Sequence, residues 1–320
     1  MRKTVAGLFW VALMAGLGPA HGQGGQPVRI IASAPPGTPV DIRARWVAEK
    51  LTPALGVPVI VENKPGAGGN IGLQAAARSA PDGKTFVIVH QGTIAINPHL
   101  YQHAGYDPIA DFAPITDLME SPLVLAVPAN SPAHDVAELV RMAKENPGRL
   151  SYGSSGVGTP PHMAAALFCR AAGVDIVHVP YKGASASLAD LLAGRVAFTI
   201  DSLAVHGPHI KSGRLRALAV TSRQRLAELP DVPTLSQSGL AGYDYASWMG
   251  VAAPARTPPA VIKQVHDILV QALETPEARA WFAAQGGMVV GDTPEHFAAF
   301  IRAEYAKWGE VIREAGIHAE

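Results

Sequence analysis

Short apolar runs rich in β-branched residues alternate with amphipathic stretches along most of this chain of 320 residues. Such runs are typical of buried strands, whereas apolar residues spaced three or four positions apart are typical of helices. Strands are predicted at Val28–Ser33, Val57–Val61, Thr85–His90, Leu123–Val127, Ile176–Val179, Val196–Ile200 and Leu215–Val220. Helices are predicted near 40–54, 70–78, 135–145, 161–172, 185–192 and 204–211. Strands bounded by helices in this rhythm favour an α/β fold with mainly parallel sheets.

The C-terminal part of the chain is predicted to be more helical. The segment TPPAVIKQVHDILVQALE opens with prolines and places Val261, Val265 and Leu269 on one helical face. In TPEHFAAFIRAEYAKWGEVI, Thr293 is a predicted N-cap and Pro294 the first helical residue. The aromatic residues that follow have the spacing of a stripe packed into the core.

No repeat, charge block or low-complexity linker interrupts the chain. Its length is sufficient for two lobes of ordinary size. Because no linker separates two halves, we expect the lobes to be joined by crossing strands and at least one lobe to be discontinuous. The predicted first lobe comprises 27–122 plus 248–320, and the predicted second lobe comprises 123–247.

The N-terminus has the pattern of a secretory signal peptide. Met1-Arg2-Lys3 is basic, Val5–Leu17 is apolar, and the Gly18-Pro19 break precedes small residues. An apolar stretch of 13 residues is too short to cross a bilayer. A buried N-terminal helix is the alternative, but a soluble domain rarely opens in this order. We therefore expect residues 1–22 to be a signal peptide, cleaved between Ala20 and Gly22, and the mature protein to be exported.

The charge balance and the cysteine usage exclude several classes of protein. Basic and acidic residues number 26 each, so neither nucleic acid nor an anionic membrane is an expected partner. The only cysteine is Cys169, and no intramolecular disulfide can form. Because it lies among Met163, Leu167 and Phe168 on a predicted helix, we expect a buried apolar side chain and not a catalytic thiol.

Three glycine-rich loops, APPGTPVD, NKPGAGGNIG and GSSGVGTPP, each follow a predicted strand, which for the third is a short one at Leu150–Tyr152, and precede a predicted helix. Such junctions present backbone N–H groups and the positive end of the helix dipole to an anion. The third loop nearly matches three reactive motifs. Thr159 stands where a P-loop needs lysine, Pro161 where a dinucleotide fingerprint needs glycine, and Val157 where G-x-S-x-G needs its last glycine. We therefore expect loops that bind an anion without reacting with it; tight turns without a ligand are the alternative.

The histidines do not form a recognisable metal motif. His99 and His103 lack the zincin glutamate between them, and a proline separates His206 from His209. We expect no metal site and no cofactor. A Ser–His–Asp triad is defined by geometry and not by sequence order, so an exported hydrolase using Ser154 or Ser155 stays an alternative.

The motifs VENKPGAGGNIG, APDGKTFVI, INPHLY, YDPIADFAPIT, HVPYKG and LPDVPTLSQSGL occur in order over the mature chain. With them, the sequence resembles the substrate-binding receptors of tripartite tricarboxylate transporters, the Bug/TctC type. The resemblance implies a periplasmic-binding-protein (Venus flytrap) fold whose two α/β lobes close over one small organic anion in the periplasm. It implies a monomer that delivers a carboxylate to membrane permease subunits and is not an enzyme. Docking on a sensor partner is the alternative role.

The resemblance also implies the ligand-binding positions. The family's first loop usually reads Pro-Gly-Gly, two variable residues and Asp; here Thr38 replaces the second glycine, and Val40 often aligns with a small hydroxyl residue, which favours a less polar ligand. For three of these positions a purely structural role is the alternative: Asp41 and Asp201 would each cap a helix, and Asn97 would form part of a turn. No arginine falls in these loops, so N–H groups, hydroxyls and bridging water would hold the ligand. The predicted ligand-binding residues are Gly37, Thr38, Val40, Asp41, Gln91, Gly92, Thr93, Asn97, Ser154, Ser155, Gly158, Thr159, Asp201 and Ser202.

Overall fold

The computed structural model describes residues 26–317. The predicted signal peptide, 1–22, lies outside these residues. Within them, no helix combines the length and the apolar character needed to cross a membrane.

Strands and helices alternate through the first two thirds of the described chain. The strands are β1 (Val28–Ala32), β2 (Val59–Asn63), β3 (Thr85–His90), β4 (Phe112–Pro128), β5 (Ser151–Ser154), β6 (Val177–Pro180), β7 (Phe198–Ser202), β8 (Leu215–Val220), β9 (Ala246–Pro254) and β10 (Met288–Val289). The helices are α1 (Pro39–Leu55), α2 (Asn70–Ala77), α3 (Asn97–Leu100), α4 (Val136–Glu145), α5 (Pro160–Ala172), α6 (Ala184–Leu192), α7 (Leu203–Lys211), α8 (Pro259–Leu273), α9 (Pro276–Ala283) and α10 (Pro294–Ala315). A 3-10 turn at Ala67–Gly69 and a π turn at Gly92–Ile96 precede α2 and α3.

The strands follow the order β2-β1-β3-β9-β4-β7-β5-β6, with β8 and β10 also paired to β4. Pairing is parallel at each end, where β1 lies between β2 and β3 and β5 lies between β6 and β7. The long strands β4 and β9 pair antiparallel with their neighbours and connect the two parallel groups. We refer to the part built around β1, β2 and β3 as the first lobe and the part around β5, β6 and β7 as the second.

Strand β4 changes partners along its length. Phe112–Pro122 pairs with β9, and the residues from Leu123 onward pair with β7 and β8. One continuous strand therefore belongs to both sheet regions, as expected for lobes joined by crossing strands. The residue boundaries of the two lobes stay a prediction.

The sequence predicts only the second part of β4, at Leu123–Val127, because Pro114 and Asp117 interrupt the apolar pattern before it. Asp117 is buried, its carboxylate accepts the N–H of Met119 at 3.1 Å, and its own N–H donates to Asp292 at 2.8 Å. These two hydrogen bonds give partners to the N–H and to the carboxyl group of a polar residue that is buried within a strand. Asp292 lies far from Asp117 in the sequence, which explains why local patterning misses this segment.

Strand β9 and helix α9 are also absent from the predicted elements. The sequence of β9, ASWMGVAAP, is short of β-branched residues, and the strand depends on pairing with β3 and β4 on its two sides. The predicted aromatic stripe of α10 is confirmed as core packing. Phe297 and Trp308 are fully buried, and Trp248 of β9 packs edge-on against Phe297 with ring centroids 5.6 Å apart.

Candidate ligand-binding cleft

A cavity of about 680 Å³ lies between the two lobes. Its walls come from the start of α1 and the turn after β3 in the first lobe, and from the loop before α5 and the turn after β6 in the second. Strand β9 contributes Ser247 and Met249. A cavity of this size can hold a small organic molecule with several waters. Of the predicted ligand-binding residues, those that line it are Val40, Gln91, Gly92, Asn97, Gly158 and Thr159.

The start of α1 presents backbone donors to the cleft. Gly37 has φ 80°, a left-handed conformation that glycine adopts without strain, and Thr38 is the extended N-cap residue. The Thr38 hydroxyl donates to the carbonyl of Pro35 at 2.7 Å and is therefore already engaged. The N–H groups of Val40 and Asp41 have no acceptor within residues 26–317. They remain available to an anion in the cleft.

The carboxylate of Asp41 is turned away from the cavity and is buried. It accepts hydrogen bonds from the N–H of Gly37 at 2.9 Å, the side chain of Asn63 at 2.9 Å and Arg45 Nε at 3.0 Å. Burial alone would raise the pKa of Asp41, but the hydrogen bonds from Arg45, Gly37 and Asn63 outweigh it and lower the pKa to about 2. The side chain acts as an anchor for the loop, which is the capping role considered above.

The start of α5 repeats this arrangement. Gly158 has φ 73°, Thr159 is an extended N-cap residue, and the Thr159 hydroxyl donates to the carbonyl of Gly156 at 2.7 Å. The N–H of Gly158 donates to Nδ1 of His162, four residues on, at 3.0 Å. Because Pro160 and Pro161 occupy the first two helical positions, neither offers an N–H group. This helix therefore presents fewer backbone donors than α1.

A stack of three aromatic rings packs next to the loop that precedes α5. His162 and His178 are 3.8 Å apart and nearly parallel, and Tyr152 stacks on His178 with centroids 5.0 Å apart. Burial and the neighbouring His178 lower the pKa of His162 to about 3, and burial lowers the pKa of His178 to about 4. Both rings are therefore neutral at pH 7, and the Nδ1 of His162 is free to accept a hydrogen bond.

Ser154 and Ser155 were the candidate nucleophiles of the hydrolase alternative. Ser154 Oγ lies 2.7 Å from Nε2 of His178 and also accepts the N–H of Gly156 at 3.2 Å. The side chain is buried, and neither serine lines the cavity. In the described part of the chain, no carboxylate is hydrogen-bonded to His178. The arrangement has two members of a triad and lacks the group that would orient the base.

The side chain of Gln91 lines the cavity but is fully engaged elsewhere. Its Oε1 accepts from the hydroxyl of Tyr245 at 2.9 Å, and its Nε2 donates to the carboxylate of Glu304 at 3.2 Å and to the carbonyl of Ala246 at 3.3 Å. Glu304 is itself buried and accepts from Trp308 Nε1 at 2.9 Å. Gln91 therefore connects the cleft wall to β9 and α10.

The other predicted residues differ in where they lie. Asn97 lines the cavity, but its amide donates to the carbonyl of Gly68 at 3.0 Å and to Asn70 at 2.8 Å. The carboxylate of Asp201 is buried and accepts the N–H of Ser202 at 2.7 Å, at the start of α7. The predicted residues that do not line the cavity are Gly37, Thr38, Asp41, Thr93, Ser154, Ser155, Asp201 and Ser202. Direct ligand contact stays a prediction at every position.

Sequence reasoning missed several residues of the cleft wall. They are Gly68, His90, Tyr101, Tyr181, Lys182 and Met249. Two carried a usable signal, because Gly68 belongs to the second glycine loop and Lys182 to the HVPYKG motif after a predicted strand. At Gly68, φ is 64°, a conformation that favours glycine, and a Cβ atom would lie 2.8 Å from the Tyr101 hydroxyl, which would have to shift.

A second cavity, of about 860 Å³, lies between α5, β6 and the C-terminal end of α10. His162 and His178 form part of its wall, and an ion pair of 2.6 Å joins Arg170 to Glu314 there. No predicted ligand-binding residue lines it. The smaller cavity between the lobes is therefore the better candidate for the ligand site.

Two histidines of the apparent metal patterns, His206 and His99, have structural partners. His206 Nδ1 and Nε2 contact the carbonyl of Val124 at 3.1 Å and the hydroxyl of Thr199 at 2.8 Å, and His99 Nε2 contacts the carbonyl of Tyr305 at 2.9 Å. Across residues 26–317, no group of three or more His, Cys, Asp or Glu side chains is arranged to hold a metal ion.

Comparison with solved structures places this architecture in a class. An R. palustris protein solved with adipate matches with a TM-score of 0.73 and 34% identity, covering 92% of this chain and 98% of that one. MatC from Rhodopseudomonas palustris, solved with malate, matches with a TM-score of 0.69 and 28% identity, covering 89% and 98%. The fold is that of the two-lobed periplasmic binding proteins, which confirms the predicted fold class.

Sequence comparison identifies the family. Residues 43–317 match the model of the tripartite tricarboxylate transporter family receptors. The chain is 36% identical to the UPF0065 protein in the tcbD-tcbE intergenic region of a Pseudomonas species, over 92% of this chain and 88% of that one. It is 34% identical to Protein BugT of Bordetella pertussis, over 91% and 90%. The chain belongs to the tripartite tricarboxylate transporter receptor family and is a solute-binding receptor, as the resemblance predicted.

Proposed function

We propose that this receptor captures a small organic carboxylate in the periplasm and delivers it to the permease subunits of a tripartite tricarboxylate-type transporter. The observation that carries the proposal is the cleft between the lobes, with the start of one helix from each lobe in its wall. At α1, the N–H groups of Val40 and Asp41 are without acceptors in the described chain. Backbone donors at a helix start favour an anion and leave it chemically unchanged.

The two similar proteins solved with adipate and malate support a carboxylate as the anion. Closure of the lobes would bring donors from both helix starts onto one ligand and expel water, which strengthens each hydrogen bond. The signal-peptide pattern of residues 1–22 supports export to the periplasm. We propose that the receptor acts as a monomer, since a single chain contributes both walls of the cleft.

A thermal-shift screen over aliphatic, amino and aromatic acids tests the proposal. An acid present at about 100 times its dissociation constant should stabilise the protein by roughly 2.7 kcal/mol. The same acid should decrease the radius of gyration in solution X-ray scattering, because two lobes close on it. Identical scattering curves with and without a tightly bound acid would contradict closure.

A second candidate function, an exported hydrolase, is favoured by the distance of 2.7 Å between Ser154 Oγ and His178 Nε2. Ester substrates incubated with the protein separate the two functions. Turnover that Ser154→Ala abolishes would favour the hydrolase. Binding without turnover favours the receptor. Signalling to a sensor is the third role, and crosslinking in cells would distinguish a permease from a sensor as the captured partner.

A further inference from the structure

Lys182 is the one lysine or arginine among the described residues that line the cleft. Lys182 lines the cavity and makes no ion pair within residues 26–317. No aspartate or glutamate of the described part of the chain lines the cavity. His90 is the other titratable side chain of the wall that could carry a positive charge, and burial lowers its pKa to about 4, so it is neutral at pH 7. The charge that the described wall offers to a ligand is therefore a single positive charge.

Lys182 is held next to the loop that starts α5. The N–H of the preceding residue, Tyr181, donates to the carbonyl of Ser154 at 3.0 Å, and the Tyr181 hydroxyl donates to Asp190 at 2.7 Å. The turn that carries Lys182 is thus attached to the same loop that ends at Gly158 and Thr159. The lysine and the helix start lie on one wall of the cleft, where they can act on one carboxylate.

Much of the remaining wall is apolar. Val40, Ile96, Leu100 and Met249 line the cavity from the first lobe and from β9. Leu100 approaches the opposite lobe closely, since a Cβ atom at Gly158 would lie 3.2 Å from it. A second carboxylate placed against these side chains would lose its hydration and would gain only the neutral N–H donors of Val40 and Asp41 at the start of α1, without a partner of opposite charge, which is unfavourable.

We propose that the cleft selects acids with one carboxylate on an apolar body, that Lys182 pairs with that carboxylate, and that dicarboxylates bind more weakly. This inference rests on the proposed function, because it specifies the class of carboxylate that the same cleft takes. Lys182 is then a specificity-determining residue that the sequence did not reveal.

Two matched pairs of acids test the inference by calorimetry at pH 7. Hexanoate and adipate share a chain of six carbons and differ by one carboxylate; benzoate and terephthalate differ in the same way on a ring. We expect the monoacid of at least one pair to bind about tenfold or more tightly than its diacid. A diacid that binds more tightly than its monoacid overturns the inference while leaving the proposed function intact.

Lys182→Met keeps most of the side-chain length and removes the charge. It should weaken binding of the preferred monoacid about tenfold, whereas Lys211→Met, at the exposed end of α7, should leave it unchanged. Equal affinities in the two variants would overturn the role of Lys182. If none of the four acids binds, the inference fails. If the wider acid screen is also negative, the proposed function fails with it.

Discussion

The segments that start α1 and α5 have nearly the same backbone but different anchors. Each has a glycine with positive φ, a threonine N-cap whose hydroxyl donates to a carbonyl three residues earlier at 2.7 Å, and a proline at the first helical position. In each, the glycine N–H donates to a side chain four residues on. That side chain is the carboxylate of Asp41 in the first lobe and the neutral ring of His162 in the second.

The difference separates what a cleft loop requires from what is optional. Both lobes need an acceptor that holds the glycine N–H and thereby turns the loop towards the cleft. The acceptor need not be charged, since one lobe uses a carboxylate and the other a neutral ring. Hydrogen bonds from Arg45 and Asn63 stabilise the charge of Asp41, whereas stacking on His178 holds His162 in place. The first anchor is a charged network, and the second is a packed, titratable ring.

The largest expected effect is the loss of the charged anchor. Asp41→Ala leaves the N–H of Gly37 and the side chains of Asn63 and Arg45 without their acceptor, and should decrease the free energy of unfolding by about 3 kcal/mol. His162→Ala removes one neutral hydrogen bond and part of a ring stack, and should cost about 2 kcal/mol. Urea unfolding of both variants measures the difference. A larger loss in His162→Ala would reverse the ranking of the two anchors.

The two anchors should also respond to pH in different ranges. The pKa of His162 is lowered to about 3 from 6.5, so its contribution to stability is complete above pH 6.5 and is lost as the pH falls towards 3. The unfolded chain takes up this proton first, which decreases the free energy of unfolding by up to about 2 kcal/mol between pH 6.5 and about pH 5. The pKa of Asp41 is lowered to about 2 from 3.8, so its contribution is lost only below about pH 4.

His162→Asn keeps an acceptor near the Gly158 N–H but does not titrate. As the pH is lowered from 6.5 to about 5, the free energy of unfolding of this variant should therefore decrease less than that of the unchanged protein. Part of the slope should persist, because burial also lowers the pKa values of His178, His90 and His206 to about 4. Chemical unfolding at several pH values provides the measurement. Identical slopes would show that His162 does not titrate with unfolding.

The two glycines should differ in their effect on binding. Gly37→Ala and Gly158→Ala both place a side chain at positive φ, which costs about 1–2 kcal/mol. A Cβ atom at position 37 has nothing within 4 Å, whereas one at position 158 lies 3.2 Å from Leu100 across the cleft. Only Gly158→Ala should hinder closure and weaken ligand binding severalfold. Leu100→Ala in the same chain should restore part of the affinity, and its failure to do so would exclude the steric explanation.

The smallest effect should come from the threonines. Thr38→Val and Thr159→Val each remove a hydroxyl that donates to a loop carbonyl, and each should cost about 1 kcal/mol of stability. Because Thr159 lines the cavity and Thr38 does not, only Thr159→Val should also weaken ligand binding. Calorimetry with the acid identified in the screen, on both variants, would measure this contrast. Equal affinities would place the two hydroxyls in the same structural role.

The sequence by itself determined the α/β class, the family and the glycine loops that start α1 and α5. These features depend on local properties: strand and helix periodicity, positive φ at glycine, and proline at a helix start. The family resemblance, and not these local properties, implied Val40, Gly158 and Thr159 as ligand-binding positions; they line the cavity, and ligand contact stays a prediction.

Only the tertiary structure decided which polar groups are left for a ligand. Gln91 and Asp41 have the chemistry of ligand contacts, but Tyr245, Glu304, Arg45 and Asn63 already occupy their hydrogen-bonding groups. The HVPYKG motif marks Lys182 as following a strand, but the lysine reaches the cleft wall because that strand, β6, pairs with β5. Hydrogen-bond saturation depends on residues far apart in the chain, so a sequence can nominate donors and acceptors but cannot show which of them the fold has already used.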